Sequence, residues 1–130
     1  MNLTTPHFPR RLMVVDDDHD LADSMCAWIR LTTDWTVVPA YGAEQAVEKA
    51  RQELFDCVLL DIAMPGSDGF ETAARLDCAN CANHPAILAI TGNADLRDAA
   101  SADPRFAASL LKPADSARLL SLLAGVAGHS

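Results

Sequence analysis

Two periodicities alternate along the chain from Arg11 onward. Leu12-Met13-Val14-Val15 is a short unbroken apolar run, the pattern of a strand buried on both faces. Leu21, Met25, Trp28 and Ile29 then recur at helical spacing. Trp35-Thr36-Val37-Val38 reads as a second strand, and Ala43, Ala46, Val47, Ala50 and Leu54 mark one stripe of a second helix. Cys57-Val58-Leu59-Leu60 makes a third strand. A third helix begins over Phe70–Leu76, after a loop that contains proline and glycine. Ala86-Ile87-Leu88-Ala89-Ile90 is a fourth strand, with Leu96, Ala99 and Ala100 on a short helix behind it. Ser109-Leu110-Leu111 is a shorter fifth strand. Leu119, Leu122, Leu123 and Val126 line a last helix, which Pro113 can start and Gly128 can follow.

Five strand-then-helix units with wholly apolar strands predict an α/β fold, a parallel sheet covered by helices on both sides. The chain shows no internal repeat, low-complexity tract or interdomain linker, so residues 11–128 are expected to form one domain with no output domain. Residues 1–10, with two prolines and no apolar run, are expected to be a flexible lead-in. Half of the 130 residues are hydrophobic, enough for one buried core. The net charge of −8, from 18 acidic and 10 basic side chains without a basic stripe, argues against nucleic-acid binding. No stretch reads as a targeting signal or approaches the length that spans a bilayer, so a soluble, cytoplasmic protein is expected.

In such a sheet, ligands bind outside the carboxyl ends of the strands, where the strand order reverses. Strand one ends in Asp16-Asp17-Asp18, strand three in Asp61, strand four in Thr91 and strand five in Lys112. Separate strands thus deliver carboxylates, a hydroxyl and an ammonium to one edge. Clustered carboxylates repel unless some are protonated or a cation joins them. With ordinary aspartate pKa values near 4, a cation is the simpler remedy at neutral pH. All-oxygen ligands suit Mg²⁺, which also grips phosphoryl groups. Lys112 and Thr91 then offer a charge and a hydrogen bond to phosphoryl oxygens, leaving one carboxylate to act as nucleophile.

Four segments, Leu12-Met13-Val14-Val15-Asp16-Asp17-Asp18, Leu59-Leu60-Asp61-Ile62-Ala63-Met64-Pro65-Gly66-Ser67-Asp68-Gly69, Ala89-Ile90-Thr91-Gly92 and Leu110-Leu111-Lys112-Pro113, resemble the receiver domains of two-component response regulators. The match runs in order over nearly the whole chain. The resemblance implies a doubly wound (βα)5, flavodoxin-like fold with strand order 2-1-3-4-5. It implies that Asp61 accepts a phosphoryl group from a sensor histidine kinase or a histidine phosphotransfer protein, and that the change is passed to an unidentified effector by conformational change. Such a domain assists its own phosphorylation and dephosphorylation without being a conventional enzyme. Mg²⁺ is implied at Asp16, Asp17, Asp61 and the backbone carbonyl of Ala63, with Asp17 a direct ligand and Asp16 acting mainly through water. Thr91 and Lys112 are the implied phosphoryl contacts, and the Lys112–Pro113 bond is implied to be cis. Asp18 has no role in that pattern and reads as a helix-start residue.

The chain departs from the family's usual form at a few positions. Ser109 stands where receivers usually carry an aromatic switch residue, three positions before the lysine. Movement of Thr91 is therefore expected to fade before it reaches the fifth strand, and Phe106 lies too early to replace the ring. Gly92 stands where alanine is common, and Ala63 and Asn93 occupy places that tune aspartyl-phosphate lifetime in the family. Two alternatives belong beside this reading. Asp16-Asp17-Asp18 contains the D-x-D of haloacid-dehalogenase-type phosphatases with Asp16 as nucleophile, although Asp20 stands where that family has Thr or Val. A degenerate receiver acting only as a docking module is the other, opposed by the intact acidic set. Cys26 and Cys57 read as core residues. Cys78-Ala79-Asn80-Cys81 with His84 has C-x-x-C spacing, but no fourth zinc ligand stands nearby, so reduced, incidental thiols are expected. His7, His19, His84 and His129 fall at loop or terminal positions with no expected partner.

Overall fold

The computed structural model describes residues 10–79 and 84–128. Its strands are β1 (Arg11–Val15), β2 (Thr36–Ala40), β3 (Cys57–Asp61), β4 (Ala86–Thr91) and β5 (Ala108–Leu111). Between and after them run α1 (His19–Thr32), α2 (Ala43–Gln52), α3 (Gly69–Ala79), α4 (Ala94–Ser101) and α5 (Ser116–Gly128). All neighbouring strands pair in parallel, in the order β2-β1-β3-β4-β5. Of the lead-in expected over residues 1–10, residues 1–9 lie outside the described residues, and the Arg10 carbonyl accepts the Thr36 N–H.

Alternation along each strand sorts the core into two layers. Met13, Val15, Val58, Leu60, Ile87 and Ala89 pack with Ala46, Val47 and Ala50 of α2, Ala73 and Leu76 of α3, and Ala100 of α4. Leu12, Val14, Leu59, Leu88, Ile90 and Leu110 pack with Cys26 and Ile29 of α1 and Leu119 and Leu123 of α5. Because helices cover both faces, central β3 is buried at every residue, which is why its sequence is unbroken apolar up to Asp61. No described helix is long and apolar enough to cross a membrane.

Several boundaries differ from the expected ones for identifiable reasons. Asp18 caps α1, its carboxylate accepting the Leu21 N–H at 3.1 Å, as expected. The buried row of α1 is Ala22, Cys26 and Ile29; Met25 and Trp28 flank it half-buried and Leu21 is exposed. Helix α2 stops at Gln52, where Glu53 turns extended. Leu54 therefore leaves the stripe assigned to it and is 62% exposed, while Phe55 swings into the core. Helix α5 starts at Ser116 rather than at Pro113, because the Asp115 carboxylate accepts the Ala117 and Arg118 N–H groups.

Strand β2 is an edge strand and contains Pro39. The Thr36 N–H bonds the Arg10 carbonyl and the Ala40 carbonyl accepts the Asp16 N–H, so even-numbered β2 residues face β1 and odd-numbered ones face outward. Proline's missing N–H therefore falls on the outward side and removes no sheet bond. The outward carbonyl of Val37 accepts from the Arg30 guanidinium at 2.6 Å.

Candidate functional site

The acidic residues meet because β1 and β3 are adjacent and in register, Val15 opposite Leu60, so that Asp16 and Asp61 leave the sheet side by side. Carboxylate oxygens of Asp16, Asp17 and Asp61 all lie within 4.8 Å of one another. Asp16 and Asp61 are buried, whereas Asp17 is exposed at the rim. Each buried carboxylate is fixed through one oxygen by backbone. Asp16 Oδ1 accepts the Asp18 N–H at 2.9 Å, and Asp61 Oδ1 accepts the Ala63 N–H at 2.9 Å.

Lys112, one residue past β5, reaches across the sheet edge and donates to the other oxygen of both. Its Nζ lies 3.0 Å from Asp16 Oδ2 and 3.0 Å from Asp61 Oδ2. Burial would lower the pKa of this ammonium, but the bonds to Asp16 and Asp61 outweigh that effect and hold it above its ordinary value. Lys112 is thus a cation throughout the neutral range. The Lys112–Pro113 bond is cis, as the resemblance implied. One cation facing three clustered carboxylates leaves a negative excess, and the donor set is entirely oxygen. Both features fit a hard divalent cation such as Mg²⁺, with exposed Asp17 at the open side.

Thr91 ends β4 fully buried, and its Oγ1 accepts the Asn93 N–H at 3.1 Å. The Asn93 side chain in turn caps α4 by accepting the Leu96 N–H at 3.0 Å. After the acidic loop, Asp68 accepts the Phe70 N–H at 2.9 Å at the start of α3. Gly69 beside it is required by space: a Cβ there would sit 2.4 Å from Ile62 Cβ. An apolar cavity of about 410 Å³ opens next to Asp16 and Lys112, lined by Leu21, Ala22, Met25 and Ala114 among others.

Some contacts escaped the sequence. The ring of His19 stacks on Tyr41 with centroids 4.1 Å apart, and the Tyr41 hydroxyl donates to Asp23, so His19 is not without a partner. His84 Nδ1 lies 3.3 Å from Asp77 Oδ1, and His84 has a positive φ of 47°. Neither pair has a periodic signal, since the partners are joined only by folding. The capping role of Asn93 did have one: an Asn directly before a helical pattern. Cys26 and Cys57 are buried free thiols, as expected; burial pushes Cys57 up to about 12. Cys78 is an exposed free thiol near the end of α3, while Cys81, His7 and His129 lie outside the described residues.

A model of the response regulator receiver domain family matches residues 12–124. The chain is 31% identical over 122 residues to the transcriptional regulatory protein ZraR of Escherichia coli K12, covering 92% of this chain and 26% of ZraR. It spans about a quarter to a third of the length of the curated relatives it matches. Its fold is shared with a CheY-like receiver domain from Methanospirillum hungatei, at a TM-score of 0.80 and 24% identity, covering 91% of this chain and 93% of that one. It is also shared with the response regulator TrrA of Thermotoga maritima, a structure in complex with Mg²⁺ and BeF, at a TM-score of 0.78 and 22% identity, covering 90% and 98%.

Proposed function

Because the chain belongs to the response regulator receiver domain family, we propose that its site accepts a phosphoryl group on Asp61. The donor is a phosphohistidine of a sensor histidine kinase or of a histidine phosphotransfer protein, and residues 11–128 form the receiving unit. The observation that carries this reading is the bridging of Asp16 and Asp61 by Lys112 at 3.0 Å, beside the exposed carboxylate of Asp17. Family membership favours this reading over the phosphatase alternative at Asp16.

Asp16, Asp17, Asp61 and the Ala63 carbonyl would hold Mg²⁺, which when bound supplies positive charge against the carboxylates and the transferring phosphoryl group. The chain's own residues supply the remainder. The Ala63 N–H holds the Asp61 carboxylate in one orientation. A carboxylate oxygen forms the bond to phosphorus while the donor's phosphorus–nitrogen bond breaks, and the imidazole, already protonated on its other ring nitrogen, leaves with the electron pair. The products are an aspartyl phosphate and a neutral histidine. Lys112, already 3.0 Å from Asp61, meets the phosphoryl oxygens as a cation, and the Thr91 hydroxyl adds a hydrogen bond. The apolar cavity beside Asp16 and Lys112 supports docking of the donor on the α1 side. The phosphorylated state acts on a downstream effector by conformational change in the cytoplasm, so the domain is a switch rather than a conventional enzyme.

Incubation with acetyl phosphate and Mg²⁺, followed by intact-mass measurement, is expected to show one added phosphoryl group that is absent in Asp61→Asn. Persistent labelling of Asp61→Asn overturns the assignment. A wild-type protein that gains nothing, and does not bind Mg²⁺, leaves the docking module as the better account.

A further inference from the structure

Ser109 pairs with Ala89 across the β4–β5 ladder, so its side chain leaves the sheet on the face that Ala89 and Thr91 share. It is 3% exposed, a depth at which a hydroxyl needs partners. It has two, both on α4. Its Oγ lies 2.8 Å from the Arg97 carbonyl oxygen and 2.5 Å from Ser101 Oγ. A serine hydroxyl has one hydrogen, and Ser109 gives it to Arg97. The hydrogen between the two serines must then come from Ser101. The order is Ser101 donating to Ser109, and Ser109 donating to the backbone of α4.

The opposite end of α4 is tied to the site. The Asn93 N–H donates to Thr91 Oγ1, and the Asn93 side chain caps the helix. Any movement of the Thr91 hydroxyl toward Asp61 either carries the Asn93 N–H with it or leaves that group unpaired. Both outcomes disturb the residue that caps α4. The helix has eight residues, about 12 Å at 1.5 Å per residue, so a shift at its cap meets Arg97 within one turn.

We propose that Ser109 couples the state of Asp61 to β5 by hydrogen bonds, through Thr91, Asn93 and helix α4. This deepens the phosphoacceptor reading and rests on it. By volume alone a serine side chain would let the movement fade before the fifth strand, but its two bonds supply a route that needs no aromatic ring. In this device, α4 is a lever held at its cap by the threonine and near its end by the serine pair. Coupling is reciprocal, so a partner that displaces α4 also biases Thr91.

Backbone amide shifts with Mg²⁺, recorded with and without beryllofluoride, test the proposal. Wild type is expected to show changes at Asp61, Ala63, Thr91 and Asn93 and also at Ser101, Ser109 and Leu110. Ser109→Ala should keep the first group and lose those at Ser109 and Leu110, while Ser109→Thr, which retains the hydroxyl, should keep both. Ser101→Ala, at an exposed position, removes one bond without opening the core and should reduce the Leu110 shift. Equal Leu110 shifts in wild type, Ser101→Ala and Ser109→Ala overturn the coupling and leave the phosphoacceptor reading intact. Absence of any change at Asp61 and Ala63 in wild type removes that reading, and the coupling with it.

Discussion

Replacing Lys112 by methionine removes the only positive charge that the described residues pair with both buried carboxylates of the site. At 3.0 Å each Lys112–carboxylate contact carries roughly 5 kcal/mol of Coulomb energy at an effective dielectric near 20, most of it offset by desolvation of the ions. Removing one partner of a buried pair costs about 3–5 kcal/mol, because a charge is left without compensation. The Lys112 side chain keeps 27% exposure, against 7% for each aspartate, so solvent moderates the loss. Lys112→Met should therefore lose about 2–3 kcal/mol of folding stability in Mg²⁺-free buffer. Urea titration followed by the fluorescence of Trp28 and Trp35 measures it. The ammonium's folded pKa is raised, so its contribution is fully present below the ordinary value of 10.5 and is lost as pH rises through the folded value. The gap between variant and wild type should hold flat through the neutral range and narrow only above 10.5. Mg²⁺ should stabilise the variant more than wild type, since it meets carboxylates that no ammonium occupies. A loss below about 0.5 kcal/mol, the usual range for a surface substitution, would refute this electrostatic account. So would a gap that closes near neutrality.

Gly69→Ala should destabilise the domain by about 3 kcal/mol, because the added methyl meets Ile62 backbone and Cβ that have nowhere to go; a urea midpoint equal to wild type counts against it. In the native protein at mildly alkaline pH, a thiol-specific reagent should modify exposed Cys78 and spare Cys57, whose thiol burial holds near 12; peptide mapping that finds Cys57 labelled first contradicts the core assignment. Mg²⁺ titrations of Asp17→Asn and Asp16→Asn should show the larger affinity loss for Asp17→Asn, whose carboxylate stands at the open side without Lys112 as a neighbour; equal losses contradict that ranking.

The candidate site was legible because its side chains stand at or just past the ends of strands that read clearly as such. Apolar runs ending in Asp16, Asp61 and Thr91 carry both the fold and the site in a single pattern. What escaped depends on geometry that periodicity does not encode. Leu54 fits the α2 stripe by spacing, but the helix ends two residues earlier, and only the following Phe55 reveals which side chain the core needed. Pro113 is a permissible helix start, yet Asp115 can satisfy free N–H groups and proline cannot, so the helix waits for it. At Ser109 the sequence shows only the lack of an aromatic ring, whereas the fold gives its hydroxyl a definite place between Arg97 and Ser101.

The outward side of β2 bears on how the molecule behaves in a crowded solution. A parallel sheet ends in rows of free donors and acceptors, and a long bare edge invites a strand from another molecule to dock and continue the ladder. Here the incoming strand would look for an N–H at Pro39 and find none, and would look for the Val37 carbonyl and find it already taken by Arg30. Two successive outward positions of a five-residue strand are thereby closed, one by a covalent ring and one by a guanidinium from the neighbouring helix. A proline that looks out of place in a strand thus limits self-association: it guards the flank of the sheet farthest from β5.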